Sequence, residues 1–299
     1  MPVVNALRNC EILTGVSMSK HTSFRVGGPA DAMLLPTSAD EILRALALCK
    51  DAGVPVTIIG NGTNLVVRDG GIRGLVIKIG QGMSGVSFSG VRATAQGGAR
   101  LMTLAATAVN EKKLGGMAFA GGIPGSIGGA VAMNAGAYGA EMKDVVKKVW
   151  YIDPESMTIC ERVIAEGDFW YRGSIFIEKG YIVTQAEFEF WPDDGSEKQR
   201  MEEYLACRRE KQPVTLPSAG SVFKRPQGHY AGALIEQAGL KGVSIGGAQV
   251  SELHAGFIVN TGNATAKDVI RLIELVQQRV YAHSGVMLCP EVKIIGEEQ

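Results

Sequence analysis

Two glycine-rich stretches are the parts of the sequence best suited to hold a large anionic ligand. The first is the run Gly60-Asn-Gly-Thr-Asn64, which follows an apolar stretch typical of a strand. Its two glycines let consecutive N–H groups point into one concavity that suits a pyrophosphate. A plain turn between two strands is the competing interpretation, because Leu65 replaces the third glycine of the G-x-G-x-x-G pattern.

The second stretch runs from Gly121 to Ala130 and continues through Asn134 to Gly139. So many small residues leave little side chain to block a flat ring or a diphosphate, although a tightly packed crossing loop would also need them. Together, the two stretches predict a large dinucleotide that is bound in an extended form, outside the Rossmann arrangement.

Three single side chains could carry reaction chemistry. Arg172 follows two aromatic residues and could anchor a carboxylate through the bidentate fork of its guanidinium. Ser221 could donate a proton, and Glu291 could act as a functional carboxylate. Each also has a structural interpretation: a surface arginine, a turn serine and a solvated strand end. The serine lacks the G-x-S-x-G elbow, which disfavours acyl transfer.

Composition excludes several classes of protein. Among 299 residues, Lys plus Arg and Asp plus Glu are both 30, so the chain has no basic excess for a phosphate backbone, and we expect no nucleic-acid partner. The five cysteines lack a C-x-x-C pair, which fits a reducing cytoplasm. The four histidines are far apart, so we expect no metal site.

One stretch needs a test against a membrane span. Residues 114–140 carry no charge, but nine of them are glycine and Pro124 lies among them. Because glycine costs a helix about 1 kcal/mol and an interior proline about 3 kcal/mol relative to alanine, this stretch predicts a buried, glycine-rich loop. The start of the sequence lacks the pattern of a signal peptide, so we expect a cytoplasmic protein without membrane insertion.

The elements that must position these groups fall into three blocks, 1–79, 80–192 and 193–299. In the first block, Ser38-x-x-Glu41 predicts a capped helix that ends at Gly53, with strands at 32–35, 56–59, 65–67 and 75–79. The second alternates strand-like runs around a helix at 100–110. The third predicts helices at 196–209, 231–238 and 265–283 and a last strand at 292–295. The fold class is therefore α+β.

Taken in order, the runs resemble one family closely. They are His21–Ala30, Gly60–Leu65, Gly121–Ala130 with Asn134–Gly139, Tyr171-Arg172, Ala219–Lys224, Gly246–Asn260 and Pro290–Val292. They span nearly the whole chain and resemble the shorter type of the UDP-N-acetylenolpyruvoylglucosamine reductases, also called UDP-N-acetylmuramate dehydrogenases, which act in the synthesis of peptidoglycan precursors for the bacterial cell wall.

The resemblance implies a fold of the vanillyl-alcohol-oxidase type. Blocks 1–79 and 80–192 would be FAD-binding subdomains 1 and 2, and block 193–299 would bind substrate, with the last strand returning to the FAD domain. The FAD would be non-covalent, with NADPH as the hydride donor. The resemblance implies these cofactor-binding residues: Gly60, Asn61, Gly62, Thr63, Asn64, Leu65, Gly121, Gly122, Pro124, Gly125, Ser126, Gly128, Gly129, Ala130, Asn134 and Gly136.

The resemblance also implies roles in the reaction. Arg172 and Glu291 match the family positions that polarise the substrate carboxylate, and Ser221 matches the proton donor to C2 of the enolpyruvyl group. The substrate, a UDP-sugar, would be bound by Tyr171, Lys211, Lys224 and Arg225. We expect a monomer or a weak oligomer. Two other functions stay open: another FAD-dependent oxidase or dehydrogenase of the same superfamily, and a non-catalytic nucleotide-sugar binding protein.

Overall fold

The computed structural model describes residues 2–298, and they form a mixed α+β fold, as the sequence predicts. The helices are α1 Pro2–Ala6, α2 Ala39–Asp51, α3 Leu101–Ala106, α4 Ile127–Ala132, α5 Ile175–Glu178, α6 Ser196–Lys211, α7 Ala231–Gln237 and α8 Ala266–Ser284. The strands are β1 Glu11–Ser17, β2 Pro29–Leu35, β3 Val56–Ile59, β4 Leu65–Val67, β5 Ile72–Lys78, β6 Val86–Ser89, β7 Arg92–Gln96, β8 Leu114–Gly115, β9 Gly136–Ala137, β10 Ala140–Glu141, β11 Val146–Asp153, β12 Thr158–Val163, β13 Phe169–Trp170, β14 Gly173–Ser174, β15 Ile182–Glu189, β16 Trp191–Pro192, β17 Ser218–Ser221, β18 Ser244–Ile245, β19 Ala248–Val250, β20 Phe257–Asn260 and β21 Lys293–Ile295.

The described chain folds as two compact units. The first comprises the residues up to Thr14, then Ala32–Asn61 and Gly74–Cys207, and the second comprises Gly15–Asp31, Gly62–Arg73 and the residues from Arg208 onward. The three predicted blocks, with boundaries after residues 79 and 192, divide the chain by cofactor and substrate binding. That division stays a prediction.

An antiparallel sheet of five strands, in the order β12-β11-β15-β7-β6, organises the larger core of the first unit. Strand β7 turns two alanines, Ala93 and Ala95, into this core. Small side chains there allow α4 to lie close to the sheet, where the N–H of Gly128 donates to the carbonyl of Gly97 at 2.8 Å. The same core contains large apolar residues, among them Leu101, Leu104, Phe119, Val149 and Phe188.

Helix α2 packs its apolar face in a second core of the first unit, with residues of the sheet ordered β1-β2-β5-β3. Its buried residues, Ile42, Ala45, Leu46 and Cys49, have the spacing that places them on one side of a helix. The Ser38 hydroxyl accepts from the N–H of Glu41 at 3.2 Å, which confirms the predicted cap.

The second unit contains an antiparallel sheet, in the order β17-β20-β19-β18, and helix α8. At the start of α8, the Asp268 carboxylate and the Thr265 hydroxyl each accept from the other residue's N–H, at 2.9 and 3.1 Å. Strand β21 pairs in parallel with β4, with Lys293 opposite Leu65. The last described strand therefore returns to a strand that lies far earlier in the sequence.

Several local features differ from the prediction. The helix predicted at 100–110 ends as α3 at Ala106 and continues as a π turn over Thr107–Glu111. The predicted loop at 114–140 contains the short helix α4, and β13 and β14 were not predicted. Over the described part of the chain, no helix combines the length and apolar character that a membrane crossing requires.

Candidate active site

The loop after β3 is held by close backbone approaches at its two glycines. A methyl group on Gly60 would collide with the hydroxyl oxygen of Ser126. Gly62 has a φ of +66°, and a methyl group there would collide with the carbonyl oxygen of His21. Glycine is therefore required at both positions, by geometry at Gly60 and also by backbone conformation at Gly62.

The contact between Gly60 and Ser126 joins the two glycine-rich stretches within the first unit. Ser126 is 2% exposed and precedes α4, while Pro124 and Gly129 on either side of it are exposed. Backbone with little covering side chain thus lies beside a loop that also lacks side chains, which suits the flat rings and the pyrophosphate of FAD. The backbone around Ser126 therefore fits this cofactor.

Two glycines of the second stretch serve packing. A methyl group on Gly121 would lie 2.8 Å from the Met201 side chain, and one on Gly128 would lie 3.0 Å from the carbonyl of Val183. Both distances are shorter than ordinary van der Waals contacts. The tight-packing interpretation therefore holds for these two positions.

The predicted anchor Arg172 lies at the tip of a hairpin in the first unit. Strands β13 and β14 pair Trp170 with Gly173, so Tyr171 and Arg172 form a two-residue turn. Arg172 has a φ of +55°, a left-handed conformation that side chains other than glycine rarely adopt. Its Nη2 donates to the carbonyl of Gly136 at 3.0 Å, and its guanidinium lies 5.1 Å from the Tyr171 ring. Such an outlier is typical of functional sites.

Gly136 and Asn134 were both predicted to bind the cofactor. In the structure, the Gly136 carbonyl accepts from Arg172, and the fully buried Asn134 side chain donates to the Trp170 carbonyl at 3.0 Å. The structure therefore brings both residues to the Arg172 hairpin.

In the second unit, the backbone segments that carry Ser221 and Glu291, two of the three predicted catalytic residues, pair with each other. The N–H of Glu291 donates to the carbonyl of Val222 at 2.7 Å, directly beyond Ser221. The N–H of Lys224 likewise donates to the carbonyl of Cys289 at 2.9 Å. The Ser221 hydroxyl donates to the Phe223 carbonyl at 3.3 Å, a long hydrogen bond that leaves the hydroxyl able to reorient.

Asn64 and Leu65 bind the same C-terminal segment. The Asn64 amide donates to the carbonyl of Glu291 at 3.2 Å, and the Asn64 carbonyl accepts from the N–H of Lys293 at 3.0 Å. The end of the predicted pyrophosphate loop is thereby tied to the backbone of a predicted catalytic residue.

The three predicted substrate cations belong to the second unit. Lys211 ends α6 and is exposed, and Lys224 follows β17 and is half-buried. The Arg225 guanidinium lies 4.0 Å from the centre of the Tyr230 ring, and its Nε donates to the carbonyl of His229 at 3.3 Å. These contacts orient Arg225 on its own loop.

His254 is a neighbour of Ser221 that the sequence did not single out. Its Nδ1 accepts from the N–H of Gly256 at 3.1 Å, so a neutral ring carries its proton on Nε2. A methyl group on Gly256 would lie 3.0 Å from His254 Cε1 and 3.4 Å from Ser221 Oγ. Burial lowers the pKa of His254, which favours the neutral ring. The run Gly246–Asn260 was the only signal of this proximity.

A further question is whether a metal could bind. Across residues 2–298, no group of three or more His, Cys, Asp or Glu side chains is arranged to hold a metal ion.

Comparisons with known proteins match two family models to separate parts of this chain. A family model described as an FAD binding domain matches residues 30–159, and one described as the UDP-N-acetylenolpyruvoylglucosamine reductase C-terminal domain matches residues 212–295. These matches confirm the predicted combination of an FAD-binding fold with a separate C-terminal domain.

Full-length relatives are similar over almost the whole chain. A UDP-N-acetylenolpyruvoylglucosamine reductase of Clostridioides difficile is 47% identical over 297 residues, which are 99% of this chain and 97% of that protein. The protein of the same name from Caldanaerobacter subterraneus is 49% identical, over 98% of this chain and 96% of its own length. The crystal structure of the reductase from Thermus caldophilus superposes with a TM-score of 0.80 at 31% identity, covering 95% of this chain and 98% of that one.

Proposed function

Because the chain belongs to the UDP-N-acetylenolpyruvoylglucosamine reductase family, we propose that it reduces UDP-N-acetylglucosamine enolpyruvate to UDP-N-acetylmuramate with NADPH. The protein is an FAD-dependent oxidoreductase of peptidoglycan precursor synthesis. The observation that carries the proposal is the identity of 47–49% to reductases over nearly the whole chain. NADPH and nucleotide sugars are made in the cytoplasm, so we propose that location for the enzyme.

FAD, when bound, would supply the hydride-transfer chemistry between NADPH and C3 of the enolpyruvyl group. The Gly60–Leu65 loop and the backbone around Ser126 would hold it, because both expose main chain where a side chain would collide or block access. We assign the pyrophosphate to the Gly60 loop and the rings to the Gly121 stretch.

Reduction of the enolpyruvyl group adds a hydride at C3 and a proton at C2, and negative charge develops on C2 and its carboxylate in between. A carbanion beside a carboxylate is costly unless fixed charges and hydrogen bonds spread the charge. Arg172 would bind the carboxylate through the bidentate fork of its guanidinium. Its bond to the Gly136 carbonyl restricts the orientation of the guanidinium before substrate arrives.

Ser221 would donate its hydroxyl proton to C2, and solvent would then restore the proton. A hydroxyl of high pKa can do this because the enolate is strongly basic. The N–H of Glu291 donates to the carbonyl of Val222, the residue after Ser221, and the Glu291 carboxylate would help to polarise the substrate carboxylate. Tyr171, Lys211, Lys224 and Arg225 would contact the remaining parts of the UDP-sugar.

The two half-reactions can be measured separately in the purified holoenzyme. Anaerobic NADPH should bleach the flavin absorbance, and UDP-N-acetylglucosamine enolpyruvate should then restore it with formation of UDP-N-acetylmuramate. Ser221→Ala should leave the bleaching unchanged and slow the restoration by about 100-fold or more. Ser84→Ala, at an exposed serine whose hydroxyl donates to Gln81, is the matched control.

The outcomes separate the alternatives. Flavin that is reduced by NADPH but is not reoxidised by the enolpyruvyl sugar nucleotide would favour another oxidase or dehydrogenase. A colourless protein that binds the UDP-sugar would favour a non-catalytic binding protein. Normal turnover in Ser221→Ala would remove the proton-donor assignment.

A further inference from the structure

Residues 132–136, which follow helix α4, hold the Arg172 hairpin by three hydrogen bonds. The Ser174 hydroxyl donates to the carbonyl of Ala132 at 2.7 Å. The Asn134 amide donates to the carbonyl of Trp170 at 3.0 Å, and Arg172 Nη2 donates to the carbonyl of Gly136 at 3.0 Å. Alternate residues of one segment thus bind alternate residues of the hairpin.

Asn134 is the member of this set whose side chain is most constrained. It is 0% exposed and has a φ of +45°. Its Nδ2 donates to Glu141 Oε2 at 3.0 Å as well as to Trp170, and its Oδ1 accepts from the N–H of Lys143 at 3.0 Å. The backbone donor of Lys143 requires an oxygen at that position, which fixes the orientation of the amide.

The partner Glu141 is itself held in place. It lies on β10 opposite Gly136 of β9, and the Lys143 ammonium lies 3.0 Å from Oε2, the same oxygen that accepts from Asn134. The strand pair that positions the Gly136 carbonyl for Arg172 therefore also positions the carboxylate that orients Asn134. Both N–H groups of the Asn134 amide are accounted for by acceptors within the first unit.

We propose that Asn134 is a positioning residue for Arg172 and does not bind the cofactor. This inference rests on the proposed role of Arg172 in binding the substrate carboxylate. The turn at Tyr171 and Arg172 has an unfavourable left-handed residue at its tip, and such a conformation persists only where neighbours over-determine it. Asn134 supplies that constraint by fixing the carbonyl of Trp170, the residue from which the turn starts.

The test uses Asn134→Gly in the holoenzyme. Glycine accepts the positive φ, so the substitution removes the amide without adding backbone strain. We expect unchanged flavin content and flavin reduction by NADPH within about twofold of wild type, but reoxidation by the enolpyruvyl sugar nucleotide about 10-fold or more slower, since a misplaced anchor costs that much. Asn263→Gly is the matched control, because Asn263 also has a positive φ, of +57°, and is exposed.

A second background tests whether Asn134 acts through Arg172. In Arg172→Ala, the additional change Asn134→Gly should have no further effect on reoxidation, because the group that Asn134 positions is gone. The proposal would be overturned if reoxidation in the double variant were slowed by the product of the factors measured for Arg172→Ala and Asn134→Gly alone. Loss of flavin or slow flavin reduction by NADPH in Asn134→Gly would also overturn it, because either result would show a role toward the cofactor. Reoxidation at the wild-type rate in Asn134→Gly would overturn it as well.

Two further measurements keep the result interpretable. Ser174→Ala removes a different hydrogen bond of the same set and should also slow reoxidation. It replaces Asn134→Gly if that variant yields too little folded protein. A wild-type rate of reoxidation in Ser174→Ala would then overturn the proposal. Unchanged reoxidation in Arg172→Ala would instead contradict the proposed function of Arg172 itself. The failure of the positioning role and the failure of the anchor are thus distinguishable.

Discussion

Gly60 and Ser126 approach each other so closely that a methyl group on Gly60 would overlap the serine hydroxyl oxygen, whereas it would lie 3.5 Å from the serine Cβ. The obstacle is therefore one oxygen atom. This contact joins the loop after β3 to the start of α4, the two places assigned to the cofactor.

The first prediction concerns this contact. Gly60→Ala should lower the free energy of unfolding by about 1–3 kcal/mol, the usual cost of overpacking, and should reduce the FAD content of the purified protein. The double variant Gly60→Ala with Ser126→Ala should recover most of the stability, because the colliding oxygen is removed. Gly80→Ala is the control, since its methyl group would come no closer than 3.9 Å to the Lys78 side chain. Equal loss in the single and double variants would show that the contact is not the cause.

The second prediction concerns Glu197, a carboxylate that is 3% exposed at the start of α6. Its Oε1 accepts from the N–H groups of Gly116 and Ala118 at 2.9 and 2.8 Å, and its Oε2 lies 2.7 Å from Arg200. Glu197→Ala leaves two buried donors without an acceptor and should lower the free energy of unfolding by about 2–5 kcal/mol.

Chemical denaturation measures this effect, and Glu202→Ala on the same helix provides the comparison. Glu202 is exposed and lies 3.9 Å from Lys198, so its removal should change the free energy of unfolding by less than about 1 kcal/mol. Glu197→Gln keeps an oxygen for the two backbone donors and should fall between these values. Similar values for Glu197→Ala and Glu202→Ala would contradict the role of the buried carboxylate.

The third prediction isolates the backbone strain at Arg172. Arg172→Ala and Arg172→Gly both lose the guanidinium and its bond to Gly136, but only glycine accepts a φ of +55° without cost. The glycine variant should therefore be about 1 kcal/mol more stable than the alanine variant. Thermal or urea unfolding of the two proteins gives the difference directly. Equal stabilities would mean that the turn relaxes when the arginine is removed.

The fourth prediction is a pH dependence. Hydrogen bonds from Arg162, at 2.7 and 2.9 Å, lower the pKa of Asp168 below its ordinary value of 3.8. A carboxyl group with a lowered pKa in the folded state contributes stability above the unfolded pKa, and that contribution is lost as the pH falls through the folded pKa. The free energy of unfolding should therefore decrease below about pH 3.8 through this group.

Asp168→Asn should be less stable than wild type at neutral pH, and the difference should narrow as the pH is lowered below that value. Urea unfolding of both proteins between neutral pH and acid pH measures it. Glu161→Gln, which changes an exposed carboxylate on the same strand as Arg162, is the control. A difference that stays constant over this range would contradict the assignment to Asp168.

Local sequence patterns were sufficient to predict the helices and strands whose caps and apolar residues lie close together in the sequence. Ser38, Glu41 and the apolar spacing of Ile42 and Leu46 predict α2, because the residues that cap the helix and form its buried face all lie within a short stretch of sequence. Strands β3 and β4 were predicted with the bounds that the structure has.

The candidate site could be predicted less completely, because its contacts join distant residues. The partners of Asn134 lie nine residues away, at Lys143, and 36 residues away, at Trp170, and no local spacing encodes them. The hairpin around Arg172 was missed because its turn lacks the glycine or asparagine that normally marks a two-residue connection. The predicted roles of Arg172, Ser221 and Glu291 came from the family resemblance, because each residue taken alone also has a structural interpretation.

The parallel pairing of β21 with β4 has a consequence for biosynthesis. Val67 emerges early in translation, but its partner Ile295 is added more than two hundred residues later. The edge of β4 that pairs with β21 therefore stays unpaired while the ribosome makes the intervening polypeptide. Exposed strand edges are prone to aggregate. Chaperone protection of the nascent chain would matter most during that interval.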